Sequence, residues 1–394
     1  MIRNISVGID VGSSMTRVVV GEFLKGEKNP KIIGVGENVT LGMRHGYVVN
    51  SSLVAASINS AVKMAERTSG LKIKRCFVSL SGTTLRSETS SGETIISKAN
   101  GEVTALDINK AIQDCENNLN LNNKKIIHIY PQTFRLDGKE VLGRLEGMYG
   151  TKLEVKTLFV TYSIVYLEDL IKAIAEAGVE TIDVIASPVA IANIALSEKQ
   201  KIVGVALVDI GDQTTSLSVF ENGLLVSMST FLIGSNKITN DIALGFKIPL
   251  EKAEELKLGN LPAGRHGDTE EFSKKKLDEI IEARLCDIFE SIENNLKKIK
   301  RSELLPAGIV FVGGGANTLH LTELSKSILK LPSNIGTIEI FGNTKTKLRD
   351  PSYFTAIGLL NSGKDNDNYS NSSLGNFFKD LKNILKSNLK QLMP

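Results

Sequence analysis

The feature that most constrains the fold is an internal repeat that relates the first half of the chain to the second. Residues 8–20 read GIDVGSSMTRVVV, and residues 207–219, 199 positions further on, read LVDIGDQTTSLSV. In each copy an apolar run leads into an Asp-x-Gly turn, and alternating apolar residues follow, which is typical of a strand, a tight turn and a second strand. The repeat predicts one duplicated domain with a similar hairpin in each half.

The paired turns have the chemistry of a phosphate and metal site. Glycine lets a turn backbone approach a ligand closely, and successive N–H groups, helped by hydroxyl side chains, bind phosphate oxygens. One Asp-x-Gly turn is usually structural, but its duplication at equivalent points favours a shared ligand. Asp10 and Asp209 are predicted to hold a hydrated Mg²⁺, which usually keeps several waters and takes one or two carboxylates. The predicted phosphate-binding residues are Gly12, Ser13, Ser14, Gly211, Asp212, Gln213 and Thr214.

A third glycine element follows a strand-like run in the second half. Gly313, Gly314, Gly315 and Asn317 stand between that run and a helical pattern over 319–331. Backbone N–H groups at the start of a helix attract anionic ligands, so these residues are candidates for nucleotide binding. The segment lacks the G-x-G-x-x-G spacing and the GK[ST] ending, which argues against a Rossmann dehydrogenase and a P-loop NTPase.

Composition places the chain among globular proteins without a strong affinity for nucleic acid. Its 394 residues are 42% apolar and 23% charged, and this length predicts roughly two to four domains. Basic and acidic residues number 47 and 44, and a net charge of +3 gives no global field that would attract nucleic acid. The three cysteines are far apart and lack metal-ligand spacing, as expected for reduced thiols in a cytosolic protein. Neither a secretory leader nor an apolar run of ~20 residues is found, which predicts a chain that is neither secreted nor membrane-spanning.

The composition changes after Leu360. Residues 361–375 are mostly Asn, Ser, Asp and Gly, which predicts a flexible, solvated linker. Residues 376–394 are periodic again and carry four lysines and one aspartate, so a helix here has an apolar half and a basic half. Such a helix is long enough to span a bilayer, but its charges favour a position in the interface with anionic lipid. The predicted membrane-contacting residues are Phe377, Phe378, Lys379, Leu381, Lys382, Ile384, Leu385, Lys386, Leu389 and Leu392.

These elements resemble the superfamily of actin, sugar kinases and heat-shock chaperone ATPases. The duplicated hairpins, the three-glycine turn and a late Ala-Ile-Gly helix at 356–358 carry that resemblance. Within the superfamily, the chain is similar over nearly its whole length to the FtsA family of bacterial cell division proteins. Three stretches carry this second resemblance: the glycines at 34, 36, 42 and 46, the run HIYPQTFRLDG at 128–138, and the run GMYGTKLEV at 147–155.

The resemblance implies an α/β fold of actin-like duplicated mixed-sheet domains around a nucleotide cleft, with a small inserted α/β subdomain and a C-terminal amphipathic helix. The insertion also stands out in the sequence, because a helical stretch at 104–121 and strand-like runs at 125–136 and 153–161 form a unit of their own. In the family this subdomain takes part in polymer contacts. The expected boundaries are 1–81 for the first half (subdomain 1A, completed by 162–185 and about 345–360), 82–161 for the inserted subdomain 1C, 186–235 and 302–344 for the second half (2A), 236–301 for the helical subdomain 2B, 361–375 for the linker and 376–394 for the tail helix.

The resemblance further implies a cytoplasmic, ATP-binding division protein at the inner membrane. The implied cofactors are ATP and Mg²⁺. The resemblance also adds Gly234, Glu254 and Lys257 to the nucleotide-binding residues and implies that Glu254 and Lys257 lie beside the ribose. The implied partners are the C-terminal peptide of FtsZ at subdomain 2B, further copies of the chain in a polymer or dimer, anionic inner-membrane lipids and other division proteins. In this role the chain polymerises on the inner membrane at the division site, anchors the FtsZ ring and recruits later division proteins.

Several positions depart from the family's pattern. Met15 stands where a phosphate-binding lysine is usual, although Arg17 follows, and Ser235 follows Gly234 where a Gly-Gly pair is expected. Ser187 stands before a proline where many relatives place a glutamate that orients attacking water. These departures predict ATP binding with slow or no hydrolysis, and no catalytic residue is assigned.

Two alternative functions fit the same superfamily. A sugar or polyphosphate kinase needs a catalytic carboxylate near the cleft and has no use for an amphipathic tail, whereas this chain has the tail and no glutamate before Pro188. An actin-like scaffold of pilus assembly differs mainly in lacking the tail and the 128–138 pattern. The division protein is therefore the favoured interpretation.

Overall fold

The computed structural model describes residues 4–24, 27, 29–260, 273–338 and 346–363. The strands in this part of the chain are β1 (Asn4–Val11), β2 (Met15–Phe23), β3 (Lys31–Val39), β4 (Met43–Arg44), β5 (Tyr47–Val48), β6 (Arg75–Leu80), β7 (Arg86–Ile95), β8 (Lys124–Leu136), β9 (Lys139–Val141), β10 (Lys152–Ser163), β11 (Glu180–Ala186), β12 (Val205–Ile210), β13 (Thr215–Glu221), β14 (Leu224–Phe231), β15 (Ile309–Val312) and β16 (Ser333–Ile335).

The helices of the same ranges lie between or after these strands, singly or in runs of two or three. They are α1 (Ser51–Ser69), α2 (Ala105–Asn117), α3 (Ile164–Glu176), α4 (Ser187–Ala195), α5 (Glu198–Val203), α6 (Asn236–Phe246), α7 (Leu250–Lys257), α8 (Lys274–Lys298), α9 (Leu321–Leu329) and α10 (Phe354–Leu360). Short 3₁₀ turns lie at Gly314–Asn317, Thr346–Arg349, Pro351–Tyr353 and Asn361–Gly363.

Two five-stranded sheets repeat one another strand for strand. The first has the order β11-β6-β1-β2-β3, and the second, read in the same direction, has the order β16-β15-β12-β13-β14. In both sheets the hairpin at the centre is antiparallel, and the neighbouring strand, β6 or β15, runs parallel to the hairpin's first strand. This shared topology confirms the predicted duplication and the predicted mixed sheets.

Helices cover both faces of the first sheet. Because side chains alternate along a strand, Ile9 and Val18 share a core with α1, whereas Val19 packs on the other face against α10. Gly8 also faces α10, and a Cβ there would overlap the carbonyl oxygen of Ala356. The glycine therefore lets the helix approach the strand closely.

The two halves share one buried core that passes through α4. Ile191 of α4 belongs to the same cluster as Val7 of the first sheet and Leu207 and Val310 of the second. The opposite face of the second sheet packs on α6, α8 and α9 in a separate cluster. α4 is therefore one of the elements that join the halves.

The inserted unit between β6 and α3 is a four-stranded antiparallel sheet with one helix. Its strand order is β7-β10-β8-β9, and α2 packs on it through Ile108, Ile112 and Cys115. The unit contacts both halves, since His128 accepts a hydrogen bond from the N–H of Ala186 in the first half, over 3.1 Å, and other side chains reach β14 of the second. It therefore lies against the junction of the two halves.

The end of the described chain differs from the sequence prediction at three residues. Composition assigned residues 361–363 to the linker, but they form a 3₁₀ turn, and Gly363 is buried against Ser6 and Phe77 because it has no side chain to exclude it. The rest of the predicted linker and the predicted tail helix lie outside the described residues. Among the described residues, no helix combines the length and the apolar character that crossing a membrane requires.

Candidate functional site

The two turns of the internal repeat have the same local geometry. In the β1–β2 turn the N–H of Gly12 donates to the carbonyl of Met15 over 3.1 Å. In the β12–β13 turn the N–H of Gly211 donates to the carbonyl of Thr214 over 2.9 Å. Both predicted hairpins therefore form, and each presents its turn at the equivalent end of its sheet.

Asp10 and Asp209 are the penultimate residues of β1 and β12, and their charges interact. Burial raises the pKa of both carboxyls, and repulsion by Asp10 contributes to raising the pKa of Asp209 to about 7. The hydroxyl of Ser79 donates to Oδ1 of Asp10 over 2.7 Å, and this bond and the Arg17 guanidinium act to lower the pKa of Asp10. Two carboxylates that repel each other between the halves form a favourable position for a cation.

This pair of carboxylates fits a hydrated Mg²⁺ better than a directly coordinated transition metal. In the ranges that the structure describes, no group of three or more His, Cys, Asp or Glu side chains is placed to hold a metal. Cys76, Cys115 and Cys286 are separate free thiols. Magnesium keeps most of its waters and needs only one or two carboxylates, which is what Asp10 and Asp209 supply.

Arg17 places a positive charge beside both carboxylates. It pairs with Asp10 in the β1–β2 register, so both side chains project from the same face of the sheet. Its guanidinium acts to lower the pKa of Asp10 and of Asp209, and it lies 5.1 Å from the centre of the Tyr353 ring. Arg17 thus supplies to the site a charge that Met15 lacks.

The third glycine element packs against the end of β12. A Cβ at position 313 would overlap Oδ1 of Asp209, and one at position 315 would overlap the side chain of Ile210. Packing therefore requires Gly313 and Gly315, which are buried, whereas Gly314 is exposed. Of the three glycines, Gly314 is the one that is accessible from solvent.

Glu254 and Lys257 form an ion pair beside the second hairpin. Nζ of Lys257 lies 2.6 Å from Oε2 of Glu254 and donates to the hydroxyl of Thr239 over 3.0 Å. The side chain of Lys257 is 3% exposed and that of Glu254 is 44% exposed. Burial raises the pKa of Asp212, Lys257 acts to lower it and Glu254 acts to raise it, so the pair lies near the β12–β13 turn.

His45 and Gly46 are functional candidates that the sequence reasoning missed. The N–H of His45 donates to Oε1 of Gln213 over 2.7 Å, and the N–H of Gly46 donates to Oγ of Ser13 over 3.0 Å. This short turn therefore contacts both predicted phosphate hairpins. The signal in the sequence is the His-Gly pair itself, because both residue types tolerate the positive φ of a tight hairpin turn.

Comparison with known proteins assigns the family. A family model described as cell division protein FtsA matches residues 206–358, and one described as an SHS2 domain inserted in FTSA matches residues 82–161. Cell division protein FtsA of Pseudomonas aeruginosa is 29% identical over 389 residues, which cover 94% of this chain and 93% of that protein. That of Bacillus subtilis is 30% identical over 369 residues, which cover 90% of this chain and 82% of that protein. The chain belongs to the FtsA family of cell division proteins.

Solved structures share the fold of this FtsA-family chain. The PilM-PilN type IV pilus biogenesis complex has a TM-score of 0.66 at 16% identity, covering 91% of this chain and 98% of that one. MreB5 of Spiroplasma citri bound to ADP has a TM-score of 0.52 at 13% identity, covering 92% of this chain and 98% of that one. These likenesses confirm the predicted actin-like fold, and the curated FtsA relatives confirm the predicted family and its role in cell division.

The nucleotide-binding residues of this FtsA-family chain stay predictions. Asp10, Asp209 and Gly313 come together at the strand ends, and Gly234 packs against the carbonyl of Asp212. The side-chain amide of Asn317 lies 3.4 Å from both carboxylate oxygens of Asp350. The predicted membrane-contacting residues over 377–392 lie outside the described ranges.

Proposed function

We propose that this FtsA-family chain is a nucleotide-binding adaptor of the division apparatus. It binds ATP with Mg²⁺ between its two halves, polymerises on the cytoplasmic face of the inner membrane at the division site, anchors the FtsZ ring and recruits later division proteins. The family supports the division role. A shared fold with an ADP-bound MreB5 supports nucleotide as the ligand.

The observation that carries the nucleotide proposal is the repulsion between Asp10 and Asp209 at the ends of equivalent strands. A hydrated Mg²⁺ between them would relieve the repulsion that contributes to raising the pKa of Asp209 to about 7. The backbone N–H groups at 12–14 and 211–214 would donate to phosphate oxygens. Phosphates and the two carboxylates are all anionic and repel each other. The nucleotide therefore binds together with the Mg²⁺, whose positive charge offsets that repulsion.

The second half supplies the groups that fit the nucleoside. Glu254 is partly exposed, so its carboxylate is available to accept hydrogen bonds from ribose hydroxyls. Lys257 is buried and holds that carboxylate in position. The exposed backbone at Gly314 leaves room for the adenosine to lie against the third glycine turn.

Ser187 and Arg17 argue for slow hydrolysis of the bound ATP. Ser187 is 2% exposed, and its hydroxyl has no hydrogen-bond partner in the part of the chain that the structure describes. A buried serine hydroxyl does not replace the glutamate carboxylate that would orient an attacking water. Arg17 provides positive charge, but its guanidinium is near Asp10 and Asp209 and is partly neutralised by them. The bound nucleotide then stabilises the folded chain as a ligand and is hydrolysed only slowly.

The membrane and FtsZ parts of the proposal depend on the sequence and on the family. The pattern of apolar and basic residues over 376–394 supports attachment to anionic lipid. The resemblance alone supports binding of the C-terminal peptide of FtsZ at 236–301. The resemblance likewise supports polymer formation and the recruitment of other division proteins.

Thermal unfolding of the full chain tests the nucleotide site. We expect ATP with Mg²⁺ to raise the unfolding midpoint, since a ligand at 100 times its dissociation constant stabilises by about 2.7 kcal/mol. Asp10→Asn and Asp209→Asn should each lose most of this shift. Glu168→Gln, an exposed position on α3, removes a carboxylate elsewhere and should keep it.

Two outcomes contradict the proposal. An unchanged midpoint of the wild type at saturating ATP and Mg²⁺ contradicts nucleotide binding. A turnover of ~1 per second or more, the ordinary range of enzymes, contradicts slow hydrolysis. A non-hydrolysable ATP analogue should raise the midpoint by about as much as ATP does.

A further inference from the structure

The two carboxylates of the candidate metal site lie on equivalent strands but have different neighbours. In the first half, the hydroxyl of Ser79 on β6 donates a hydrogen bond to Oδ1 of Asp10 over 2.7 Å. In the second half, the strand equivalent to β6 is β15, and it places Val312 beside Asp209. Val312 is fully buried, and its side chain has no polar atom. The internal repeat therefore gives Asp10 a side-chain donor that the same position does not give to Asp209.

The neighbours on the other side of the two carboxylates do not remove this difference. Arg17 stands opposite Asp10 on β2, and its charge acts on both carboxylates. Ser216 stands opposite Asp209 on β13, and its hydroxyl lies 3.3 Å from that of Thr230 on β14. This hydroxyl is therefore engaged within the second sheet. Asp10 is the carboxylate that a strand neighbour holds by a hydrogen bond.

Ser79 is itself fixed by the first sheet. It lies on β6 between β1 and β11, pairs with Ile185 of β11 and is 4% exposed. A serine hydroxyl has one proton to donate, and here that proton is used on Oδ1 of Asp10. A carboxylate held at one oxygen cannot turn about its Cβ–Cγ bond without losing the hydrogen bond. The direction of Oδ2 is therefore also set, and this oxygen is left for a ligand.

We infer that Ser79 is a positioning residue of the metal site, which orients the carboxylate of Asp10 toward the water shell of Mg²⁺. The inference rests on the proposed binding of nucleotide with Mg²⁺. Mg²⁺ keeps several of its waters, and their hydrogen bonds need an acceptor at a defined position. Side chains that orient metal ligands commonly contribute a factor of about 10–100 to metal affinity. Ser79 itself contacts neither the metal nor the nucleotide and acts through Asp10.

A purely structural role of Ser79 is the competing explanation. A buried carboxylate is costly without a hydrogen-bond partner, so the hydroxyl would then stabilise the fold and have no effect specific to the metal. Loss of the hydroxyl would weaken nucleotide binding equally with and without Mg²⁺, or leave it unchanged. A positioning role instead weakens only the part of nucleotide binding that depends on Mg²⁺.

Equilibrium binding of a non-hydrolysable ATP analogue to the full chain, in Mg²⁺ and in EDTA, separates these explanations. The measured quantity is the ratio of the Kd in EDTA to the Kd in Mg²⁺, which should exceed 1 in the wild type. Ser79→Ala should lower this ratio about tenfold, the lower end of the range, because the metal is held through water. The Kd in EDTA should not change. Ser6→Ala removes a buried hydroxyl at the remote end of β1 and should keep the wild-type ratio.

Two further variants isolate the hydroxyl from the shape of the side chain. Threonine and valine have nearly the same shape and both suit a strand. Ser79→Thr keeps the donor and should keep a ratio close to that of the wild type. Ser79→Val replaces the donor by a methyl group, as at position 312 of the second half, and should lower the ratio as Ser79→Ala does. The unfolding midpoint without nucleotide shows whether each variant is folded.

The inference fails alone if the wild-type ratio exceeds 1 and the loss of the hydroxyl leaves that ratio unchanged. It also fails if both Kd values rise by the same factor, or if Ser79→Thr and Ser79→Val have equal ratios. A wild-type ratio of 1 rejects the proposed metal and, with it, the role of Ser79, but keeps nucleotide binding. If the wild type binds the analogue in neither condition, the proposed nucleotide site fails together with the inference.

Discussion

Two glycines allow α10 to pack closely between β1 and α4. A Cβ at Gly8 would overlap the carbonyl oxygen of Ala356, and a Cβ at Gly358 would overlap the carbonyl oxygen of Ala190. Both overlaps involve helix backbone, which cannot rotate away as the end of a side chain does. Since α4 joins the halves, these two residues help to set the spacing of the sheets on either side of the site.

We expect Gly358→Ala to destabilise the full chain by about 2 kcal/mol, because α10 must move away from α4. Gly245→Ala in α6 is the matched control, where the nearest atom to the new Cβ would be Cδ1 of Ile280, at 2.7 Å. That atom can move by a change of rotamer, and alanine favours a helix over glycine by about 1 kcal/mol. The control should therefore be neutral or stabilising. Unfolding in urea at pH 7 compares them, and equal effects would contradict the packing argument.

Some residues of the candidate site could be recognised from the sequence, and others could not. Asp10 and Asp209 were found because each lies within a short pattern that occurs twice. His45 was not, because its contact with Gln213 joins residues 168 positions apart. The charge that Arg17 brings to the carboxylates depends on strand register, which its position in the sequence does not specify.

At the scale of elements, His128 links the inserted sheet to the first half. Nε2 of this β8 residue accepts the N–H of Ala186, at the end of β11, over 3.1 Å. Burial lowers the pKa of His128 to about 4, because the charged ring would lose its hydration. Only an unprotonated nitrogen accepts a hydrogen bond, so the junction requires the neutral ring.

Acid should weaken this junction. The pKa of His128 is about 4 in the folded chain and about 6.5 in the unfolded chain, so the unfolded chain binds more protons between these values. The stability that the neutral ring contributes is complete above pH 6.5 and is lost as the pH falls toward 4. Between pH 7 and pH 5 this group should account for a loss of about 2 kcal/mol.

His128→Gln provides the comparison, because glutamine keeps an acceptor near the position of Nε2 and does not titrate. The free energy of unfolding of this variant should fall less than that of the wild type between pH 7 and pH 5, by about 2 kcal/mol. Denaturant unfolding at the two pH values measures the difference. A parallel fall in both proteins would mean that His128 is not the responsible group.

The elements with strong apolar periodicity were predicted, and those without it were missed. The helix α2 and the strands β8 and β10 lie close to their predicted ranges. No strand was predicted over β7, because nine of its ten residues are exposed or partly exposed and give no apolar periodicity. It forms at the edge of its sheet by pairing with β10, so a neighbour and not its own pattern specifies it.

At the scale of the whole molecule, the inserted unit connects the two halves. The hydroxyl of Ser87 accepts the N–H of Met228 over 2.7 Å, and the side-chain amide of Gln132 donates to the carbonyl of Leu225 over 2.9 Å. Met228 and Leu225 belong to β14 of the second half, whereas His128 bonds to the first. A change in the angle between the halves must therefore alter these contacts, so the proposed nucleotide would have a physical route to the inserted unit.

The described chain ends at a distance from the candidate site. Gly363 packs against Ser6, near the start of β1, whereas Asp10 lies near the end of that strand. Four residues of strand separate the two by roughly 13 Å. Gly363, the last described residue, therefore lies at the end of the first sheet that is remote from Asp10 and from the proposed nucleotide site.

The last prediction concerns attachment of the full chain to lipid by residues 376–394, which lie outside the described residues. Phe378 and Leu385 fall in the apolar half of the helical pattern, and Asn383 and Ser387 fall in the polar half. Phe378→Glu with Leu385→Glu should release the chain from vesicles that contain anionic lipid, because apolar burial and two units of net positive charge are lost together. Asn383→Glu with Ser387→Glu makes the same change of charge but keeps the apolar half. This pair should therefore lose about 1 kcal/mol of vesicle-binding free energy per charge.

Co-sedimentation at low ionic strength separates the two contributions. The apolar pair should lose the larger part of binding, since burial of each large apolar side chain contributes about 1.5–3 kcal/mol beyond the charge effect. The polar pair should recover binding when the fraction of anionic lipid is raised, and the apolar pair should not. An unchanged unfolding midpoint in both double variants confirms that the domains remain folded. Equal losses of vesicle binding in the two double variants would mean that charge alone attaches the chain. Full vesicle binding by the Phe378→Glu, Leu385→Glu variant would mean that residues 376–394 are not the attachment site.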